Sequence, residues 1–300
     1  MIKQNQKALT LMAALLLSIC GATSALPQKP ESDSSAPSNG KAAAGTFRFA
    51  VLGDMGTGKK EQFAIAAQVT RYHDQRPFDT VLMLGDNIYT SGKASDITPK
   101  FERPYAALLE RGVKFYAVLG NHDVRNGRSV QINYVNFNMG GQTYYSFKKA
   151  DGLIEFFALD STNFKDDQLR WLEGALAASR AQWKIPFFHH PLYSSGKMHG
   201  SDEKLRAKLE PLFVKYGVTA VLSGHEHFYE RTKPQMGVLY ITCGASGTLR
   251  RGNLDRRSPY FEAGNDQSNS FLYVEASKAR LSFWGVDAEG KIFDSASVKK

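Results

Sequence analysis

Five short blocks of this chain gather side chains that bind cations or move protons. They are Gly53-Asp54-Met55-Gly56, Gly85-Asp86-Asn87-Ile88-Tyr89, Gly120-Asn121-His122-Asp123, His189-His190-Pro191 and Gly224-His225-Glu226-His227. Carboxylate, amide and phenol oxygens together with imidazole nitrogens suit hard or borderline metal ions. Asp54, Asp86, Tyr89, Asn121, His189, His225 and His227 are enough donors for two ions if one carboxylate bridges them. A position is then left at each ion for water or substrate. No single block carries that conclusion. A Gly-Asp after a strand is commonly a turn with glycine at positive φ and aspartate capping a helix. Paired histidines favour a metal without requiring one. The weight lies in the recurrence and its order.

Each block follows an apolar run: Phe47 to Leu52, Thr80 to Leu84, Phe115 to Leu119, Ile185 to Phe188 and Val218 to Ser223. Near-continuous apolar runs are the mark of buried parallel strands, and open α/β sheets hold ligands beyond the carboxyl ends of such strands. Helical spacing appears over Glu61 to His73, Pro99 to Arg111, Gln168 to Ser179 and Asp202 to Tyr216, with Gly112 as a stop after the second. Tyr144 to Phe147 and Leu153 to Leu159 read as hairpin strands joined through Asp151-Gly152. Leu272 to Glu275, Arg280 to Gly285 and Lys291 to Asp294 read as short antiparallel strands. The fold class expected is α/β: two packed mixed β-sheets flanked by helices.

The ordered blocks, from about Phe47 to Phe228, resemble the calcineurin-like metallophosphoesterase superfamily, and within it the purple acid phosphatases. Gly85-Asp86-Asn87-Ile88-Tyr89 is similar to that family's Gly-Asp-x-x-Tyr block, whose tyrosinate binds iron; Val118-Leu-Gly-Asn-His-Asp123 and the short length are most like its small, tartrate-resistant type. The resemblance implies the αββα metallophosphoesterase sandwich. It also implies two metal ions: Fe³⁺ held by Asp54, Asp86, Tyr89 and His227, and a divalent Fe, Zn or Mn held by Asp86, Asn121, His189 and His225. Tyr89 has a plain alternative as a core aromatic. The fourth block departs from the family pattern, with Pro186 where a valine is usual. Its adjacent histidines leave the ligand open by spacing alone, whereas the family's His-x-Pro-x-Tyr order points to His189, with His190 facing substrate or supporting the ligands.

The function implied is hydrolysis of phosphate monoesters by attack of a metal-bound hydroxide on phosphorus, favouring acidic pH. His122 and His199 correspond to histidines that stabilise the transition state and protonate the leaving group; the alternative for His199 is a solvated loop residue beside Gly200. Asp123 is expected to orient His122, and Asp160 to be structural. Two other functions stay open: a metal-dependent phosphodiesterase or nuclease, and a non-catalytic metal- or phosphate-binding surface protein.

The formal net charge is +9, or +7 without Lys3 and Lys7. That surplus favours encounter with anions such as phosphate esters. No dense basic run marks a specific nucleic-acid partner. Lys3, Lys7, the apolar stretch Ala8 to Ile19 and Thr23-Ser24-Ala25 read as a secretory leader over residues 1–25. Leu17-Ser18-Ile19-Cys20 also resembles a lipoprotein box, which would lipidate Cys20 and give the one membrane attachment expected, although Ile19 is bulky for such a box. Residues 26–45 read as a disordered linker and 46–300 as the metallophosphoesterase domain. The destination expected is periplasmic or extracellular. Cys243, in an apolar strand pattern, reads as a buried core thiol.

Overall fold

The apolar runs before the five blocks all form strands in the computed structural model, which describes residues 36–300. In chain order the strands are β1 (Phe47–Leu52), β2 (Thr80–Met83), β3 (Lys114–Ala117), β4 (Tyr145–Lys149), β5 (Ile154–Ala158), β6 (Trp183–Phe188), β7 (Ala220–Ser223), β8 (Tyr229–Thr232), β9 (Leu239–Cys243), β10 (Phe261–Asn265), β11 (Ser270–Ala276), β12 (Arg280–Asp287) and β13 (Ile292–Lys299). The α-helices are α1 (Lys60–Gln75), α2 (Ala106–Glu110), α3 (Arg128–Asn133), α4 (Asp166–Ala178) and α5 (Glu203–Lys215).

One sheet runs β13-β12-β11-β1-β2-β3 and the other β10-β8-β9-β7-β6-β5-β4. In the first, β1, β2 and β3 are parallel, while β11 joins β1 antiparallel. In the second, β5, β6, β7 and β9 are parallel, and β4 pairs with β5 as the expected antiparallel hairpin.

β1 explains why its sequence is apolar at successive positions: all six residues are buried. Phe49 and Val51 join the core between the sheets with Phe156, Ile185, Leu222 and Val274. Ala50 and Leu52 face the other way, against Ile65, Val69 and Tyr72 of α1. On the far side, Leu172 and Leu176 of α4 pack with Leu205, Leu209 and Phe213 of α5 on Phe157, Phe188 and Val221. The result is a helix–sheet–sheet–helix sandwich, as expected.

The helix expected over Pro99 to Arg111 is interrupted. A wide turn covers Thr98–Glu102 and α2 begins only at Ala106. Pro104 lies between them; it has no N–H to donate to the Lys100 carbonyl, and its ring would press on that oxygen. Gln62 Nε2 takes up the freed carbonyl at 2.6 Å.

Residues 1–35, with the expected leader and Cys20, lie outside the described residues. Of the expected linker, residues 36–45 are described and touch the domain. Arg48 donates to Gly40 O at 2.5 Å and to Ser38 O at 3.0 Å, and Arg76 Nε to the Pro37 carbonyl at 3.1 Å. Among the described residues, no helix is long and apolar enough to cross a membrane. Cys243 is buried and unpaired, and burial pushes its thiol up to about 12, so it stays protonated and inert.

Candidate metal centre

Every block sits past the carboxyl end of a parallel strand: those after β1, β2 and β3 from one sheet, those after β6 and β7 from the other. Both sets meet over one edge of the sandwich. Three of the chemistry-bearing residues, Asp54, Asp86 and His225, adopt left-handed backbone at φ 53°, 50° and 70°. The commoner turn chemistry would put that conformation on the preceding glycine, and of the three only Gly85 has positive φ. Gly53 and Gly224 are instead required by close approach. A Cβ on Gly53 would strike the Cys243 carbonyl, and one on Gly224 would come within 2.6 Å of Asp54 Oδ2. Left-handed non-glycine residues cost on the order of 1–3 kcal/mol each and gather at functional sites. Here the strain is held by hydrogen bonds between blocks. Asp54 N–H donates to Gly85 O at 3.1 Å, His122 N–H to Asp86 Oδ1 at 2.8 Å and His225 N–H to Asp54 Oδ2 at 2.7 Å.

The expected donors fall into two groups. In the first, Tyr89 Oη lies 3.0 Å from Asp54 Oδ1 and 3.1 Å from His227 Nε2, and those two atoms are 3.4 Å apart. In the second, His189 Nε2 lies 3.0 Å from Asn121 Oδ1, 3.1 Å from His225 Nδ1 and 3.7 Å from Asp86 Oδ1. Ligand atoms of Asp54, Asp86 and His189 all lie within 4.8 Å of one another, which brings Asp86 within reach of both groups.

These residues fit cations better than they fit one another. His189 Nδ1 faces the Leu84 carbonyl at 2.9 Å, an acceptor only, so Nδ1 carries the proton and Nε2 presents a lone pair. That lone pair points at the acceptor oxygen of Asn121 and at His225 Nδ1. Spacings of this size are the edges of coordination shells with ~2.1 Å bonds, about 3.0 Å for an octahedron and about 3.4 Å for a tetrahedron.

The electrostatics agree. Burial pulls the His189 imidazole down to about 3, and burial with the neighbouring histidines holds His225 far below its ordinary value. Both rings are therefore neutral. Burial raises the Asp86 carboxyl, and burial with the charges of Asp54 and Asp86 drives the Tyr89 phenol far upward. Carboxylates and a phenol so placed ionise together only against a strong positive charge.

The two histidines expected to act on substrate flank the donors. His122 Nδ1 faces the Thr90 carbonyl at 2.8 Å, so it holds that proton; its ring lies 4.6 Å from the Tyr89 ring, and Nε2 is 3.9 Å from Asp86 Oδ2. The His199 ring lies 4.3 Å from that of His225. His190 is tied to Ser161, Nδ1 to Oγ at 2.9 Å, while its ring stands 4.6 Å from the His225 ring. It also belongs to a cluster of ligand atoms with His189 and His225. A cavity of about 510 Å³ opens beside these rings, lined by His190, His199, His225, Asp202, Glu203 and Lys204.

Asp123 does something other than orient His122. Its buried carboxylate accepts the N–H groups of Asn87, Ile88 and Gly120 and the Gln131 amide, at 2.8–3.0 Å, clamping the loop that carries Asp86 and Tyr89. Asp160 is structural as expected, accepting from Arg128 and from Thr162. Sequence reasoning missed Glu226. Fully buried, it accepts the N–H groups of His199 (3.1 Å) and Gly200 (2.9 Å) at Oε1 and the Asn253 amide (2.7 Å) at Oε2. A charged residue between two expected ligands was the available signal.

Residues 47–229 match the Calcineurin-like phosphoesterase family, and the chain belongs to it. Its relatives narrow the class. Over 299 residues it is 29% identical to the Homo sapiens tartrate-resistant acid phosphatase type 5, spanning 85% of this chain and 91% of the human protein. Over 244 residues it is 28% identical to purple acid phosphatase 17 of Arabidopsis thaliana, spanning 70% and 71%. Among solved structures it shares its fold with GAP50, the anchor in the inner membrane complex of Plasmodium, at TM-score 0.74 and 20% identity over 85% and 89% of the chains. It also shares it with purple acid phosphatase PPD1 from yellow lupin seeds, at 0.71 and 18% over 85% and 54%. The chain is thus a metallophosphoesterase of the purple acid phosphatase type, a family that binds two metal ions.

Proposed function

We propose that this chain is an exported dinuclear-metal phosphatase that hydrolyses phosphate monoesters. The observation carrying this reading is the pair of donor groups whose lone pairs converge, with Asp86 within reach of both. Asp54, Asp86, Tyr89 and His227 would hold the first ion, and Asp86, Asn121, His189 and His225 the second. The phenol of Tyr89, hard and ionised only by strong positive charge, supports Fe³⁺ at the first position. Asn121 and the neutral imidazoles of His189 and His225 support a divalent ion at the second. Bound there, two ions polarise phosphoryl oxygens and lower the pKa of water towards neutrality.

The chain's own residues would do the rest. His122, its Nδ1 proton held by Thr90, keeps Nε2 towards the cleft. There it donates to a phosphoryl oxygen when protonated. His199, held over His225 by the Glu226-bound backbone, would face the leaving group and return a proton to its oxygen. Export rests on the leader read in residues 1–25, and lipidation on Cys20; both lie outside the described residues.

The deciding experiment is metal analysis of the purified protein together with hydrolysis of 4-nitrophenyl phosphate and bis(4-nitrophenyl) phosphate. Two ions per chain and faster turnover of the monoester are expected. Faster turnover of the diester would make it a phosphodiesterase. Two bound ions with turnover of neither would make it a binding protein.

A further inference from the structure

The metal centre occupies the carboxyl edge of the sandwich, and the opposite edge carries the amino ends of the same strands. A cavity of about 780 Å³ opens there, bounded by Phe47 at the start of β1, Asp79 before β2, Leu153 before β5 and Gln182 before β6. It lies about 20 Å from the metal centre, the length of the six residues of β1 at about 3.3 Å each.

Its ionisable lining is mainly basic. Lys149, Arg180 and Lys278 surround it against Asp79 and Asp151. Arg180 and Lys278 are exposed, and neither side chain makes an ion pair or hydrogen bond with another described residue. Lys149 meets Asp79 at 3.6 Å, a surface pair that solvent largely cancels. Beside the cavity, Lys148, Glu155 and Lys184 lie in register across β4, β5 and β6, so one buried carboxylate is flanked by two lysines.

The chain that precedes the domain arrives at this same edge. Gly45 and Thr46 line the cavity, and Ala36, Pro37 and Ser38 line a smaller one that shares Thr46 with it. Arg48 and Arg76 hold residues 37–40 there through backbone carbonyls. An ordinary solvated surface gives no reason for unpaired cations to gather where the amino-terminal segment leaves the domain.

We infer that this edge docks on an anionic phospholipid surface, with lipid phosphates facing Lys149, Arg180 and Lys278 and the metal centre turned towards the water. The inference goes beyond the phosphatase reading and does not depend on it. Each basic side chain near such a surface strengthens binding about fivefold. Lipid fits this edge better than nucleic acid does. The amino-terminal segment, read above as the tether from a secretory leader, departs from it, and the aromatic residue lining the cavity, Phe47, is buried and offers bases no face to stack on.

The test is sedimentation of the mature, metal-loaded protein with vesicles of phosphatidylcholine alone and with about one-third phosphatidylglycerol. The wild type should bind the anionic vesicles at least about tenfold more tightly, and added salt should weaken that preference. Lys149→Ala/Arg180→Ala/Lys278→Ala, its fold checked by thermal midpoint, should lose it. Lys59→Ala/Lys60→Ala/Arg251→Ala removes equal charge beside the metal centre and should keep it. All three proteins share one amino terminus, so any lipid on Cys20 cancels from the comparison. A wild-type ratio below about twofold, a ratio that survives in the first variant, or one lost equally in the second overturns the inference. Release from the vesicles by millimolar glycerol 3-phosphate would make the cavity a small-anion site, and tighter binding to a DNA duplex would make the edge a nucleic-acid face; either result overturns docking on lipid.

Discussion

The backbone N–H of His225 donates to Asp54 Oδ2 at 2.7 Å, and these two residues come from opposite sheets of the sandwich. Both are left-handed. One carboxylate oxygen thus fixes the second sheet's loop while the other, Oδ1, faces Tyr89 and His227. Asp54→Asn keeps an acceptor for the N–H and removes the charge. It should lose at least one metal ion per chain while its apo form unfolds within about 1 kcal/mol of wild type. Metal analysis with apo-protein denaturation checks both halves.

Tyr89 separates an iron phenolate from a buried aromatic. If its oxygen binds Fe³⁺, the purified protein shows a visible charge-transfer band, and Tyr89→Phe loses it together with iron. A colourless wild type holding two divalent ions would make Tyr89 a hydrogen-bonded core residue.

Glu226 predicts loop behaviour rather than metal content. Removing its acceptors in Glu226→Ala leaves the N–H groups of His199 and Gly200 without a partner, at about 1–3 kcal/mol for each group left buried. Amide exchange at those two positions should quicken. Turnover should fall about tenfold or more as His199 is released, a loss that Glu226→Gln partly restores. Unchanged exchange in the alanine variant would contradict the clamp.

Glu230 carries a pH dependence of stability. Burial pushes its carboxyl up to about 7, against the pull of the Ser195 N–H at 2.9 Å. The folded state therefore binds this proton more tightly than the unfolded chain does. The stability it contributes is full below the ordinary glutamate range and is lost as pH rises through about 7. The loss is of order 1–3 kcal/mol. Denaturation at pH 5 and pH 8 should show it in the wild type, and Glu230→Gln should flatten it.

Asp123→Asn separates the loop clamp from the chemistry. An amide cannot accept from all of Asn87, Ile88, Gly120 and Gln131, so the Asp86–Tyr89 loop should loosen. Stability should drop by about 2–4 kcal/mol with weakened metal binding. His122→Ala, by contrast, should retain both ions and lose turnover. Equal behaviour of the two variants in metal analysis would be the contrary result.

The strands and the donor blocks were legible because both are written locally. β1 shows its burial on two faces as an unbroken apolar run, and each donor follows its strand within a few residues. Asp123 was misread because adjacency in sequence suggested a role for His122, whereas the short turn at 123–125 aims the carboxylate back at Asn87 and Ile88. Glu226 was missed because its partners at His199, Gly200 and Asn253 are more than twenty residues away, and no local pattern announces them. The break in the second helix was available in Pro104 and outweighed by the apolar spacing around it.

The first strand of the domain lies in the middle of its sheet, with β2 on one side and β11 on the other. A chain emerging from its amino end must therefore hold a place open for residues synthesised more than two hundred positions later. Asp54 reaches its final setting only when the distal half has arrived. No amino-terminal fragment that ends before His227 carries both donor groups, so ion capture must wait for the second sheet's loops. A chain threaded unfolded through a membrane would acquire its ions on arrival, from whatever that compartment supplies.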